Sequence, residues 1–219
     1  MKPLWDRWAP LTGVLSVVCS FVGVMLVLGQ PQDKDSDAKI VAYFTQHSHR
    51  VQGVVGFSVF MAGVLLLLAF LATLRERLLA AEGQLGRLSA LVFGAGLTSL
   101  PFWGVSILLA SGTAFTAGNT SKFRVDPNSF RLFADTAYFA WVAAVVVSSL
   151  VVWGTAAVAL RTGVLPRWHA RAGILVGIVQ LFAYFFFPCF AWWAWLIVTS
   201  VLLTVRPRAA TAAVLQPAL

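Results

Sequence analysis

Hydrophobic and polar positions follow each other in long blocks along the chain. Apolar runs of about 18 residues or more are separated by polar connectors, and each run is long enough to cross a bilayer as a helix. A transmembrane β-barrel would instead show short segments of alternating hydrophobicity. The pattern predicts an all-α, polytopic membrane helical bundle of six transmembrane helices in a single domain. The predicted spans are about 10–29, 51–74, 88–112, 135–160, 172–187 and 190–205.

The last two spans come from one uncharged run, 172–205, which contains the stretch FAYFFFPCFAWWAW. As a single helix this run would be about 51 Å long, well beyond the roughly 30 Å of bilayer hydrocarbon. Pro188 has no backbone N–H and interrupts helices. We therefore predict two short helices joined by a tight turn at Pro188 and Cys189. Residues 206–219 are expected to be a flexible cytoplasmic tail.

The polar segment after the first span predicts a short amphipathic helix on the outer membrane face. Ser36 and Asp37 are good helix N-caps. Ile40 and Phe44 follow them at helical spacing. The apolar side of this helix would cover the bundle or rest in lipid, and the helix would lead into the second span.

Composition and charge agree with this class. Of all residues 59% are hydrophobic and 11% are charged, against about 25% charged in soluble chains. The formal net charge of +8 is explained by Lys and Arg that flank the spans on the cytoplasmic side, so no nucleic-acid partner is expected. Ten of the 16 Lys and Arg residues lie in the predicted inner segments. Both termini are predicted to be cytoplasmic, in a bacterial inner membrane.

Ionisable side chains are absent from the middle of every predicted span. Ion-coupled carriers and proton relays usually have such groups, so this class is disfavoured. A transmembrane haem would need two histidines at similar depth on facing helices. His47 and His49 lie on the outer side and His169 on the inner side. The two cysteines show no metal-ligand spacing, and we expect no cofactor and no metal site.

Asp135 is an acidic residue at the outer end of the fourth predicted span. Arg131 precedes it by one helical turn, and an ion pair between the two is the favoured interpretation. The alternative is a catalytic one, because a carboxyl group at the mouth of an apolar bundle can have a raised pKa and act as an acid.

The aromatic residues near the outer ends of the spans allow two interpretations. One is an interfacial belt with ordinary packing. The other is an aromatic cavity in the outer half of the bundle, with Asp135, His47, His49 and Arg131 at or near its rim. The candidate substrate-binding residues are Phe182, Tyr184, Phe186, Phe190, Trp193, Tyr138, Trp141, Trp103 and Gln180.

Three stretches carry a family resemblance: AYFTQHSHRVQGVVGF, LRERLLAAEG and LRTGVLPRWHARAGILVG. With these, the chain resembles uncharacterised multi-pass membrane proteins that are common in high-GC actinobacteria. The resemblance covers most of the chain and implies an inner-membrane helical bundle. It transfers no catalytic residue.

Three functions remain open from the sequence. The first is a protein without buried charges that binds an apolar small molecule, a lipid or a membrane-protein partner in the outer half of the bundle. The second is an intramembrane enzyme on an apolar substrate, similar to an isoprenoid or terpene cyclase, with Asp135 as general acid among aromatic rings that stabilise cations. The third is a passive exporter or immunity protein for a hydrophobic compound.

Overall fold

The computed structural model describes residues 8–83, 86–120 and 122–206, and the regular structure in these ranges is helical. We number the α-helices in chain order. A 3₁₀ turn at Ala9–Leu11 precedes the first α-helix, and a second 3₁₀ turn at Ala183–Phe185 lies between the last two. The helices are α1 Thr12–Leu28, α2 Asp37–Thr45, α3 His47–Glu82, α4 Arg87–Asn119, α5 Pro127–Thr162, α6 Arg167–Gln180 and α7 Pro188–Val205.

Five of the described helices are long and apolar enough to cross a membrane. They are Ala9–Leu28, which includes the first 3₁₀ turn, His47–Glu82, Arg87–Asn119, Pro127–Thr162 and Pro188–Val205. The segment predicted as span 172–187 differs, because its helix α6 has 14 residues and is about 21 Å long. The prediction of an all-α bundle with several helices long and apolar enough to span a membrane is confirmed, and five of the six predicted spans are helices of sufficient length.

The turn between α6 and α7 lies earlier than predicted. The chain turns over residues 181–187, and Pro188 is the first residue of α7 rather than part of the turn. The prediction of a turn at Pro188 and Cys189 is therefore wrong. The physical reason is that the first N–H of a helix has no intrahelical acceptor, so a proline at this position removes no hydrogen bond and its φ already suits the helix.

The predicted amphipathic helix is present as α2. Ser36 caps it by accepting a hydrogen bond from the Lys39 backbone N–H. Ile40 and Phe44 are buried in a small core with Ala114 and Phe130. The apolar side of α2 therefore covers the bundle, at the junction of α4 and α5.

The connections of the bundle fall at two ends. The α2 end holds α2 and the α1–α2, α4–α5 and α6–α7 connections. The arginine end holds the α3–α4 and α5–α6 connections and the C-terminal end of α7. The most extensive helix contacts are those of α4 with α5, α1 with α3 and α3 with α4, while α6 packs mainly on α5. From residue 207 onward, the predicted tail 206–219 lies outside the described residues.

Candidate functional site

A connected group of aromatic rings fills the core towards the α2 end. Trp141 of α5 lies at its centre, in T-shaped contact with Trp103 at 4.7 Å and with Trp193 at 6.2 Å between ring centroids. Trp141 also stacks on Phe186 at 5.7 Å. We call these rings, together with Phe60 and Phe190, the aromatic cluster. It joins α3, α4, α5, α7 and the turn before α7, elements that are far apart in the sequence.

A cavity of about 250 Å³ lies beside the aromatic cluster, between the end of α1, the segment that follows it, and helices α4 and α5. Trp141 and Phe186 belong both to the cluster and to the cavity wall. The lining residues are Val24, Val27, Leu28, Gln30, Pro31, Gln32, Ser106, Ile107, Leu109, Ala110, Phe130, Ala134, Ala137, Tyr138, Trp141 and Phe186.

Small side chains and helix placement explain the cavity. Helix α1 packs on α3 and to a lesser extent on α7, but touches α4 only lightly. On the opposite wall, Ala110 of α4 and both Ala134 and Ala137 of α5 carry only a methyl group. Residues 130, 134, 137 and 141 share one face of α5 because they are three or four positions apart. The two alanines between two large rings leave the space open.

The wall is apolar with a few hydrogen-bonding groups, and none of its described residues carries a charge. The Ser106 hydroxyl donates to the Ala137 carbonyl over 2.8 Å, and the Tyr138 hydroxyl donates to the Tyr184 carbonyl. Two buried nitrogen atoms of lining residues, Gln30 Nε2 and Trp141 Nε1, have no hydrogen-bond partner within the described structure. The wall therefore holds neutral polar groups and two unpaired donors.

The structure brings together part of the predicted substrate-binding set. Tyr138, Trp141 and Phe186 line the cavity, and Trp103, Phe190 and Trp193 lie behind the wall in the aromatic cluster. The remaining three residues lie elsewhere.

Those three residues have other surroundings. Tyr184 is exposed and supplies the carbonyl that Tyr138 binds. Phe182 is 58% exposed on the α6–α7 turn. Gln180 is fully buried, and its Nε2 donates to the Val145 carbonyl over 3.4 Å. This bond joins α6 to α5, whereas Gln180 Oε1 is buried without a hydrogen-bond partner among the described residues.

Asp135 lies on the exposed face of α5 with Leu132 and Phe139, beside the cavity wall and not in it. The ion pair expected between Asp135 and Arg131 is wrong. Arg131 pairs instead with Asp37 of α2 over 2.7 Å. The reason is tertiary, because α2 folds back against α5 and brings an acidic residue and backbone carbonyls within reach of Arg131.

The predicted rim residues do not lie together at the edge of the cavity. His47 is exposed at the start of α3. The His49 ring stacks on Tyr43 at 3.9 Å, and its Nδ1 lies 3.1 Å from the Tyr43 carbonyl oxygen. Neither histidine belongs to the cavity wall. Arg131, in contrast, follows the wall residue Phe130 and contacts the segment that leads from the cavity to α2.

The remaining histidine is near the arginine end. His169 is buried, its Nε2 lies 2.9 Å from Thr199 Oγ1, and its ring stacks on Trp195. The Thr199 hydroxyl donates to the Trp195 carbonyl, so it accepts from the histidine N–H. Within the described ranges, no three His, Cys, Asp or Glu residues come close enough to hold a metal ion.

Sequence reasoning missed most of the cavity wall. The contributions of Val24, Val27 and Leu28 from α1 and of Ile107 from α4 carry no local signal, because they look like any residue of an apolar span. Residues 30–32 resemble an ordinary polar connector. Only the chain's path in three dimensions places these segments against α5. No protein-family model, no curated protein and no solved structure matches this chain.

Proposed function

We propose that this chain is a six-span protein of the bacterial inner membrane that binds a small, neutral, apolar molecule in the cavity at the α2 end. The observation that carries the proposal is the cavity itself. It has a volume of about 250 Å³ and an apolar wall without a charged side chain among its described residues. Apolar pockets with a few placed polar groups are the usual form of small-molecule sites.

The sixth span in this proposal is the short helix α6. Its outward face carries large apolar side chains, including Ile174, Leu175 and Ile178, which are 41–65% exposed. Such a face is favourable in lipid and unfavourable in water. With about 21 Å of helix and the aromatic turn above it, α6 would reach across much of the roughly 30 Å hydrocarbon layer.

The orientation follows from the basic residues. The arginine end carries Arg75, Arg77, Arg87, Arg161, Arg167 and Arg171, which the positive-inside rule assigns to the cytoplasm. The α2 end and the cavity then face outward. A reporter fused after Leu219 that is active only in the cytoplasm should be active, and a reporter inserted in the α4–α5 connection should be inactive. The reverse pattern would refute this orientation.

The volume limits the size of the ligand. A dry apolar cavity of roughly 150 Å³ accepts benzene, and pockets for drug-sized molecules begin at roughly 300 Å³. The cavity lies between these values. A compound with one or two rings, or a short hydrocarbon chain, fits this space, whereas a whole phospholipid is too large. The surrounding lipid is therefore solvent in this proposal and not the ligand.

The wall also limits the chemistry of the ligand. A charged ligand would lose its hydration without meeting an opposite charge, which is costly. A single oxygen atom, as in an alcohol or ketone, would be favourable. A buried donor without an acceptor costs about 1–3 kcal/mol, so an oxygen that either Trp141 Nε1 or Gln30 Nε2 could reach by a side-chain rotation would be favourable.

Binding is favoured over catalysis by the position of Asp135. This residue would have to protonate a substrate inside the cavity, and its side chain lies on the exposed face of α5 instead. We expect Asp135→Asn to leave ligand binding unchanged within about twofold and stability unchanged within about 0.5 kcal/mol. Loss of a chemical conversion on this substitution would instead support the enzyme hypothesis.

The proposal is tested with the purified full-length chain in nanodiscs. The probe is 1-aminonaphthalene, a two-ring aromatic amine that is neutral at pH 7 and whose fluorescence responds to apolar surroundings. Ala110→Leu places extra carbon atoms into the cavity and should weaken saturable probe binding at least about tenfold, as about 1.4 kcal/mol corresponds to tenfold. Ala90→Leu makes the same change at an exposed position of the same helix and serves as the matched control.

Native mass spectrometry of the protein taken directly from its membranes supplies the second measurement. A bound neutral compound in the wild type that is absent from Ala110→Leu and present in Ala90→Leu would identify the ligand. Equal probe binding by all three proteins would mean that the cavity is not the site and would refute the proposal.

A further inference from the structure

We infer that residues 30–36 form a strap over the cavity and that Arg131 is the latch that holds this strap closed. Gln30, Pro31 and Gln32 of the strap are part of the cavity wall, so the strap forms part of the boundary of the cavity at the α2 end. The inference rests on the proposed binding function, because a movable strap has a role only if a molecule enters and leaves the cavity.

Arg131 connects α5 to the strap through its whole guanidinium group. Its Nε donates to the Asp33 carbonyl over 2.7 Å. One terminal nitrogen donates to the Asp35 carbonyl over 2.9 Å and to the Asp37 carboxylate over 2.7 Å. The other terminal nitrogen lies 3.3 Å from Asn128 Oδ1. The fork of an arginine side chain thus binds two strap carbonyls and the first turn of α2 together.

The two carbonyl bonds should contribute more than the ion pair. The Asp37 side chain is 71% exposed, and exposed ion pairs contribute little to stability. The Arg131 side chain is 28% exposed, and hydrogen bonds between a partly buried charged donor and a carbonyl are stronger. Removal of Arg131 should therefore release the strap, and removal of the Asp37 charge should loosen it only slightly.

Both ends of the strap are fixed independently of Arg131. At the start, Gln52 of α3 donates to the Leu26 carbonyl near the end of α1 over 2.9 Å. At the far end, α2 buries Phe44, whose ring lies 5.5 Å from that of Phe130. Among the described residues, the side-chain bonds that tie positions 33 and 35 to the bundle come from Arg131. The middle of the strap can move while its ends stay in place.

The strap also has an internal support. The Asp35 carboxylate accepts a hydrogen bond from the Gln32 backbone N–H and one from the Lys39 ammonium, both over 2.8 Å. This pair of bonds keeps residues 32–35 in a tight turn. An ordered turn presents the two carbonyls to Arg131 together, so the strap can open and close as one unit.

The experiment measures access to the cavity without any ligand. Cys19 and Cys189 are replaced by alanine, and a single cysteine is introduced by Ala110→Cys in the cavity wall. The rate of modification by a small, charged, water-soluble methanethiosulfonate is measured in nanodiscs. We expect Arg131→Met to raise this rate about tenfold, because the bonds to a charged group are lost. Asp37→Asn should raise it less than about threefold.

Two further variants make the test specific. Arg124→Met removes an exposed arginine from the same end of the bundle and should leave the rate unchanged. Arg131→Lys keeps the charge but lacks the fork that binds two carbonyls, and should give an intermediate rate. Size-exclusion chromatography and tryptophan fluorescence establish that each variant is folded.

Several outcomes would overturn the inference. They are an unchanged rate in Arg131→Met or Arg131→Lys, an effect of Asp37→Asn as large as that of Arg131→Met, or an effect of Arg124→Met. Failure of the proposed function is distinguishable, because a cavity without a ligand would still show the dependence on Arg131. Probe binding together with an access rate that does not depend on Arg131 would refute the strap alone.

Discussion

The two ends of the bundle differ in how completely they are packed. Towards the arginine end, α5 presents Val151, Val152 and Ala156, which are 0–3% exposed, and glycines let neighbouring helices approach closely. A Cβ on Gly154 would lie 2.5 Å from a Val92 methyl carbon. Towards the α2 end, α5 presents Ala134 and Ala137 to a cavity of about 250 Å³. The same helix is therefore tightly packed at one end and borders open space at the other.

The difference arises from what surrounds each part of α5. Near the arginine end α4 packs against α5 along its length, and α6 covers a second side. Helix α6 ends at Gln180, so near the α2 end its place is taken by the aromatic turn. The rings of the aromatic turn and the polar strap pack less closely against α5 than a helix would, and they leave the cavity between them. The arginine end is therefore closely packed throughout, whereas the α2 end combines a packed aromatic cluster with a cavity.

The largest test of the comparison is Trp141→Ala. Trp141 contacts Trp103, Trp193 and Phe186, so its loss removes the centre of the aromatic cluster. We expect about 3–5 kcal/mol of destabilisation, measured by SDS-titration unfolding in mixed micelles with circular dichroism. Trp168→Ala, at a position 59% exposed at the arginine end, should cost less than about 1 kcal/mol. Equal destabilisation by the two substitutions would mean that the aromatic cluster contributes no more to stability than an exposed tryptophan does.

The next test adds volume where no space exists. Gly154→Val forces branched carbon atoms against Val92, whose side chain has little rotamer freedom, and should destabilise the bundle by about 1–3 kcal/mol. Gly94→Val is the matched control, because a Cβ at Gly94 meets nothing within 4 Å. The same SDS titration compares the two variants. If Gly154→Val were as stable as Gly94→Val, the arginine end would be looser than the structure shows.

A smaller effect is expected from added volume at the α2 end. Ala110→Leu extends into the cavity and should leave the free energy of unfolding within about 0.5 kcal/mol of wild type. Ala156→Leu introduces the same side chain into the packed end, where Ala156 is 3% exposed, and should cost about 1–3 kcal/mol. Equal costs for both variants would remove the distinction between the two ends.

The smallest expected effect is a loss of order in the strap at low pH. The side-chain bond from Lys39, followed by the backbone bond from Gln32, lowers the pKa of Asp35 below its ordinary value of 3.8. A lowered carboxyl pKa stabilises the folded strap above the unfolded pKa, and this contribution is lost as the pH falls through the lower folded value. Protection of residues 30–36 from hydrogen exchange, corrected for intrinsic rates, should therefore decrease below about pH 3.8.

Asp35→Asn provides the control for this titration. Its protection should be low and should not depend on the ionisation of residue 35. A wild-type strap whose protection stays constant down to pH 2 would show that the Asp35 bonds do not order it.

Much of the fold was predictable because bilayer length and hydrophobic pattern act locally. The apolar runs correspond to α1, α3, α4, α5 and α7, and the Ser36 cap with the spacing of Ile40 and Phe44 predicted α2. The position of the α6–α7 turn was not predictable from Pro188 alone, since a proline that stops one helix also suits the first position of the next.

The candidate site was predictable only in part. Trp141, Tyr138 and Phe186 were expected near each other because aromatic residues are concentrated at one depth. Asp135 and Arg131 were expected to pair because they are one turn apart, yet α2 brings Asp37 to Arg131. Contacts between residues more than 90 positions apart depend on how helices are arranged, and no local spacing indicates them.

By itself, the sequence determined the class of protein, the helical elements and the ends at which basic residues collect. These properties depend on hydrophobicity, chain length and charge within single segments. The tertiary structure alone decided that α1 stands apart from α4, that two alanines of α5 face the resulting gap, and that a polar connector bound by Arg131 forms part of its wall. Side chains of ordinary type become a cavity, a wall and a latch only through the packing of helices that the sequence pattern leaves free to arrange.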